Sequence, residues 1–189
     1  MIVASMAVAS LSACKKTKKD DPSPEKPIEV GAGDEENITR VVLIVSNGTE
    51  KNTVTYKNKG GITVDSLLLS PNTTYSVEVK VFDDTKTPVD TISNEIKKEA
   101  NYHHFHYVFT STSGTPTLTA TITDNDTKTP PLPLGLMFDI TTGANAGIGS
   151  LKVSLRHFAE GAVKTSDQKG GESDIDISFP IRVMANRLR

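Results

Sequence analysis

Along most of the chain, apolar and polar side chains alternate with a period of two. In TTYSVEVKVF, Tyr75, Val77, Val79 and Val81 are separated by Thr74, Ser76, Glu78 and Lys80, the pattern of a strand with one buried face. TPTLTATITD sets Leu118, Ala120 and Ile122 against threonines, and SDIDISFPIRV sets Ile175, Ile177, Phe179, Ile181 and Val183 against Asp174, Asp176, Ser178 and Arg182. Pro180 interrupts the last run and implies an exposed edge or a bulge. Nine segments carry this signal, near residues 38–46, 51–57, 62–69, 74–83, 102–110, 116–123, 134–141, 150–158 and 173–183.

Turn chemistry separates them: Asn47 and Gly48, Gly60 and Gly61, and Ser70, Pro71 and Asn72 are turn formers. The pentapeptide DTKTP occurs at residues 84–88 and again at 126–130, each time after a strand, which reads as one turn solution used twice. The single helical signal is NEIKKEA at residues 94–100, with Ser93 or Asn94 available as cap and Glu95 in the first turn. The expectation is an all-β antiparallel sandwich of about seven to nine strands with one short helix.

The stretch LLLSPNTTYSVEV, residues 67–79, resembles the part of fibronectin type III and immunoglobulin-like domains in which a leucine, a proline turn and a tyrosine precede a strand. The resemblance implies an immunoglobulin-like topology and a corner role for Tyr75, with its ring in the core and its hydroxyl bonded to backbone.

The N-terminal part is of another kind. MIVASMAVASLSAC is apolar and small but too short to span a bilayer, as in the apolar region of a signal peptide. Leu11, Ser12, Ala13 and Cys14 resemble the bacterial lipobox, which implies cleavage before Cys14 and lipid attached to it, although no Lys or Arg precedes the run. Residues 15–36, KKTKKDDPSPEKPIEVGAGDEE, are charged and rich in Pro and Gly, and cannot bury enough apolar surface to order themselves. As a coil such a tether spans about 26 Å. The KKDD at residues 18–21 resembles the charged signal that sends lipoproteins of Bacteroidota to the cell surface. The expected organisation is a signal peptide at 1–13, lipidated Cys14 and a disordered tether at 14–36, and the sandwich at 37–185.

The 189 residues suffice for one domain with a real core. A formal net charge of -2 argues against a nucleic-acid partner. Aromatic residues make up 5% of the chain and Trp is absent, which disfavours stacking platforms for glycans. Cys14 is the only cysteine, no serine sits in a GxSxG turn, and no glycine-rich phosphate loop joins a strand to a helix, so an enzyme is not expected.

Three further stretches, EANYHHFHY at 99–107, LRH at 155–157 and GGESDIDISFPI at 170–181, together resemble a group of small lipoproteins of Bacteroidota often met beside TonB-dependent outer-membrane receptors. The group's stretches run approximately EADxHxFxY, LRH and GGETDI. His103, His157, Glu172 and Asp174 fall on motif positions, whereas His104 and His106 do not. Asn101 departs from the acidic residue of the pattern, and DNDTKTPPLPLGL at 124–136 is richer in proline. The resemblance implies an outer-membrane location, periplasmic or surface-exposed, and a receptor of that kind as partner.

Strand periodicity divides the histidines. His103, Phe105, Tyr107 and Phe109 share the expected core face, and His104, His106 and Val108 share the other, expected to face solvent. His157 ends the stripe of Leu151, Val153 and Leu155. If strand directions alternate, His103, His157 and Glu172 come to one end of the sandwich, with the Asp83–Asp84 and Asp124–Asp126 loops and the helix that carries Glu95 and Glu99. Imidazoles with a carboxylate, here Glu172 or the neighbouring Asp174, make a zinc or copper site. The same histidines can equally be end-of-core residues bonded to backbone or to Glu172, steadying loops. DND at 124–126 lacks the Gly and late Glu of a calcium loop. The expected function is a lipid-anchored accessory or binding protein for a metal or small ligand, with a structural or adhesive surface module and a glycan-binding lipoprotein as alternatives.

Overall fold

A computed structural model describes residues 37–48, 50–165 and 170–184. Cys14, the leader and the tether lie outside the described residues. The elements in chain order are β1 (Arg40–Asn47), β2 (Glu50–Lys57), β3 (Thr63–Val64), β4 (Leu67–Leu69), β5 (Thr74–Phe82), α1 (Ser93–Lys98), β6 (His103–Gly114), β7 (Leu118–Ile122), β8 (Met137–Thr142), β9 (Gly147–His157) and β10 (Glu172–Val183). They form a two-sheet sandwich. One sheet has the order β3-β2-β1-β5-β8-β7 and the other β4-β10-β9-β6.

Alternation explains the core. Tyr75, Val77, Val79 and Val81 of β5, with Leu43 and Val45 of β1, face Leu151, Val153 and Leu155 of β9 and Ile177, Phe179 and Ile181 of β10, all buried. The apolar segment at 62–69 does not form one strand. Thr63 and Val64 pair with β2, Leu67–Leu69 pair with β10, and the chain passes between the sheets at Asp65 and Ser66. There the Asp65 carboxylate accepts the Thr55 N–H at 3.0 Å and holds the crossing. Having changed sheets, β4 runs parallel to β10, so the second sheet is mixed and the pairing is not antiparallel throughout.

Pro180 sits on an inner strand, opposite Ser150 of β9. It is tolerated because β4 pairs only from Ile181 onward, so β10 is a local edge at the proline. The expected strand at 134–141 begins only at Met137, because Leu134 and Leu136 give their carbonyls to Phe105 N–H and Val79 N–H across the end of the sandwich. Both DTKTP copies turn through a cis Thr-Pro bond.

The helix begins one residue earlier than expected and without a side-chain cap. Ile92 occupies the cap position, while Ser93 is buried with no hydrogen-bond partner for its hydroxyl. Ile92 and Ile96, almost wholly buried, set the helix by packing rather than by capping. Among the described residues no helix is long and apolar enough to cross a membrane.

The Tyr75 ring is buried, and its hydroxyl oxygen accepts the Ser70 N–H at 2.8 Å. This corner ties the turn after β4 to the start of β5, and so one sheet to the other. Tyr75→Phe leaves the Ser70 N–H without its partner and should lower stability by about 1–3 kcal/mol. The check is the urea midpoint, and an unchanged midpoint would show that water satisfies the amide.

Candidate metal centre

β6, β9 and β10 lie side by side, so register alone decides what meets at their ends. His103 is opposite His157, and His157 is opposite Glu172. Leu69, the last residue of β4, pairs with Val183 at the far end of β10, and the adjacent Ser70 holds Tyr75 at the start of β5. The end of β5, Asp83 and Asp84 therefore lie at the histidine end. A cleft of about 340 Å³, lined by Val45, Asn47, Leu68 and Tyr75, opens at the opposite end.

The His103 and His157 rings stack with centroids 4.5 Å apart and an interplanar angle of 21°. Between Ser173 and Ile175 the register of β10 against β9 slips by one residue, which makes Asp174 a bulge residue without an opposite number. The bulge brings its carboxylate to the rings. One ligand atom from each of His103, His157 and Asp174 lies within 4.8 Å of the others. The carboxylate in the cluster is thus Asp174; Glu172, although in register with His157, is exposed and outside it. A zinc ion about 2.1 Å from each atom needs them roughly 3.4 Å apart, so an ion would draw the three side chains together.

Gly171 permits this approach of β9 and β10. Its φ is +73°, and a Cβ there would stand 2.6 Å from the His157 carbonyl oxygen.

Hydrogen bonding orients His103. Its Nδ1 lies 3.1 Å from the Glu99 carbonyl oxygen, just beyond α1. A carbonyl only accepts, so Nδ1 carries the proton and Nε2 presents its lone pair, as in histidine ligands oriented by backbone. Burial lowers the His103 pKa to about 4, against the Glu99 carbonyl and with help from nearby His157 and Lys164. Burial, with the like charge of Glu172, raises Asp174 to about 6, against the pull of His157 and Arg156. At neutral pH the site therefore offers a neutral imidazole and a carboxylate, and neither must lose a proton to take a cation.

His104 and His106 do not face solvent: both are buried, with ring centroids 4.1 Å apart. Their face of β6 is covered by the chain that follows β9. Phe158 is buried and its N–H bonds to the Tyr102 carbonyl; His104 Nδ1 lies 3.2 Å from the Thr165 carbonyl oxygen. Two-residue periodicity supposes one covered face, and a loop folded back over the second face is invisible to it. Burial also lowers the pKa of His104.

Lys164, on the same loop, is the residue that pattern reading missed. It is buried and paired with Asp126. No motif marks it, since a lysine in a Gly-rich and polar stretch reads as surface. The two aspartates of DND are already engaged by the protein's own donors. Asp124 accepts the Gly135 N–H at 2.7 Å, and Asp126 accepts the Leu132 and Lys128 N–H groups.

Comparison with protein-family models, with curated proteins and with solved structures finds no match.

The two shifted groups oppose each other in stability. Asp174 holds its proton more tightly in the folded chain, so its contribution is present below its ordinary value of 3.8 and is lost as pH rises through about 6. His103 holds its proton less tightly, so its contribution is present above 6.5 and is lost as pH falls through about 4. Asp174→Asn leaves only the second slope. Its unfolding temperature in chelator should rise with pH between about 4 and 6 more steeply than that of the wild type. Parallel curves would mean that the Asp174 carboxyl titrates as it does in the unfolded chain.

Proposed function

We propose that the protein is a lipid-anchored binding protein of the outer membrane whose sandwich takes a first-row transition metal, zinc or copper, at His103, His157 and Asp174. The observation that carries the reading is the convergence of three ligand atoms, one of them oriented by a backbone carbonyl, at a loop-bearing end of a rigid sandwich. Two imidazoles and a carboxylate leave room on the metal for water or a further ligand, as in open rather than purely structural sites. Nothing in the cluster is arranged as a nucleophile with its base, which supports binding rather than catalysis.

The anchor rests on the lipobox-like residues ending in Cys14, and the association with a TonB-dependent receptor rests on the stretches at 99–107, 155–157 and 170–181. A second reading, a structural or adhesive surface module, is supported by the same contacts: the stacked rings and the bond to Glu99 would brace loops without any metal.

Calorimetric titration of the purified chain with zinc and with copper separates the two. The wild type should bind one ion, and the His103→Ala, His157→Ala double variant none. Glu172→Ala, outside the ligand set, should change affinity by less than about tenfold. Silent titrations of the wild type, or equal binding by wild type and double variant, would leave the bracing role standing. For the anchor, cells given labelled palmitate should mark the wild type and not Cys14→Ser, and an unlabelled wild type would remove the lipid from the reading.

A further inference from the structure

Next to the histidine cluster the sandwich encloses a pair of opposite charges. Lys164 lies between β9 and β10, Asp126 between β7 and β8, and neither side chain has exposed surface. Lys164 Nζ is 3.1 Å from Asp126 Oδ2 and also donates to the Ala100 carbonyl oxygen at 2.9 Å. The other carboxyl oxygen, Oδ1, accepts the N–H groups of Leu132 at 2.8 Å and Lys128 at 3.2 Å. An amine is thus held against a carboxyl group in a dry site, with two backbone donors on the oxygen where negative charge would gather during acyl transfer.

We propose that Lys164 and Asp126 condense to an intramolecular isopeptide bond once the chain has folded. A proton passes along the existing hydrogen bond from the ammonium to Oδ2, leaving a free amine and a carboxylic acid. The Nζ lone pair attacks Cγ, and the negative charge of the tetrahedral adduct falls on Oδ1, held by the Leu132 and Lys128 N–H groups. A second proton moves from Nζ to Oδ2, the Cγ–Oδ2 bond breaks, and the Oδ1 carbonyl re-forms. Ammonium plus carboxylate has become amide plus one water, with no change of oxidation state and no co-reactant.

Burial favours the amine's part of the first stage and the neutral product. It lowers the proton affinity of Lys164, which frees the nucleophile. Asp126 lies below the ordinary carboxyl range: burial pushes it up, but the Leu132 N–H, Lys164 and the Lys128 N–H outweigh this. The carboxylate therefore resists the first proton transfer, and the direct hydrogen bond from Lys164 supplies the path by which it can occur. Replacing two buried ions by a neutral amide removes the cost of keeping both charges out of water, and a dry site withholds the water that would reverse the reaction. The bond would join a loop of one sheet to a loop of the other across 38 residues, in a chain whose single cysteine, Cys14, leaves no disulfide to do so.

Tryptic digestion of the purified, denatured full chain followed by mass spectrometry tests this. The expected product from the wild type is one cross-linked species, the peptide carrying Asp126 joined to the peptide carrying an uncleaved Lys164, lighter than their sum by one water. Lys164→Arg keeps the charge but has no primary amine at that position, and should give the two peptides separately at full mass. Should that variant not fold, the wild-type digest decides alone: full-mass peptides cleaved at Lys164 would show that the pair stays ionic and would overturn the proposal.

Discussion

A strand displaced by one residue turns every side chain to the opposite face, so the register of β9 against its two neighbours controls everything at the histidine end. With His157 opposite both His103 and Glu172, the imidazoles stack and the start of β10 is delivered beside them. The slip after Ser173 then does what a regular ladder cannot. It adds Asp174 to the cluster and still returns Ile175 to the core opposite Leu155. A bulge placed elsewhere on β10 would keep the core or the carboxylate, not both.

The same end is also tied together from outside the sheet. Lys164 bonds to Asp126 and to the Ala100 carbonyl, which gathers the loop after β9, the loop after β7 and the end of the helical segment around one buried ammonium. Desolvating two charges is expensive, and such a pair is tolerated only where its remaining hydrogen bonds are satisfied. The Asp126 carboxylate meets that condition through the Leu132 and Lys128 N–H groups. The same loop buries His104 and His106, so β6 is covered on both faces where it begins and is an ordinary half-exposed strand further on. The inner and outer layers of this end are therefore one packed unit, and His103, between them, is neutral because of that packing.

At the other end Tyr75 has the corresponding part. Its bond to Ser70 fixes the turn through which the chain, having left the first sheet at Asp65 and Ser66, returns to it. The two ends are thus secured by different means, a tyrosine hydroxyl on backbone and a lysine–aspartate pair, with the apolar alternation of β5, β9 and β10 joining them.

The alternation along the chain determined the strands, their inward faces and the two-sheet class, because a period of two is a local property that each strand carries by itself. It also placed His103 and His157 on inward stripes, since those positions depend on strand parity alone; the corner role of Tyr75 came instead from the resemblance of residues 67–79 to immunoglobulin-like domains. What local sequence could not decide were matters between distant segments. The split of residues 62–69 between sheets depends on which neighbour each half finds. The choice of Asp174 over Glu172 depends on a bulge, one residue of slip between Ser173 and the buried Ile175. The burial of His104, His106 and Lys164 depends on a loop some sixty residues downstream of the two histidines folding back over β6. Only the tertiary structure closes those contacts, because side-chain periodicity reports the face a residue turns toward and not what comes to cover it.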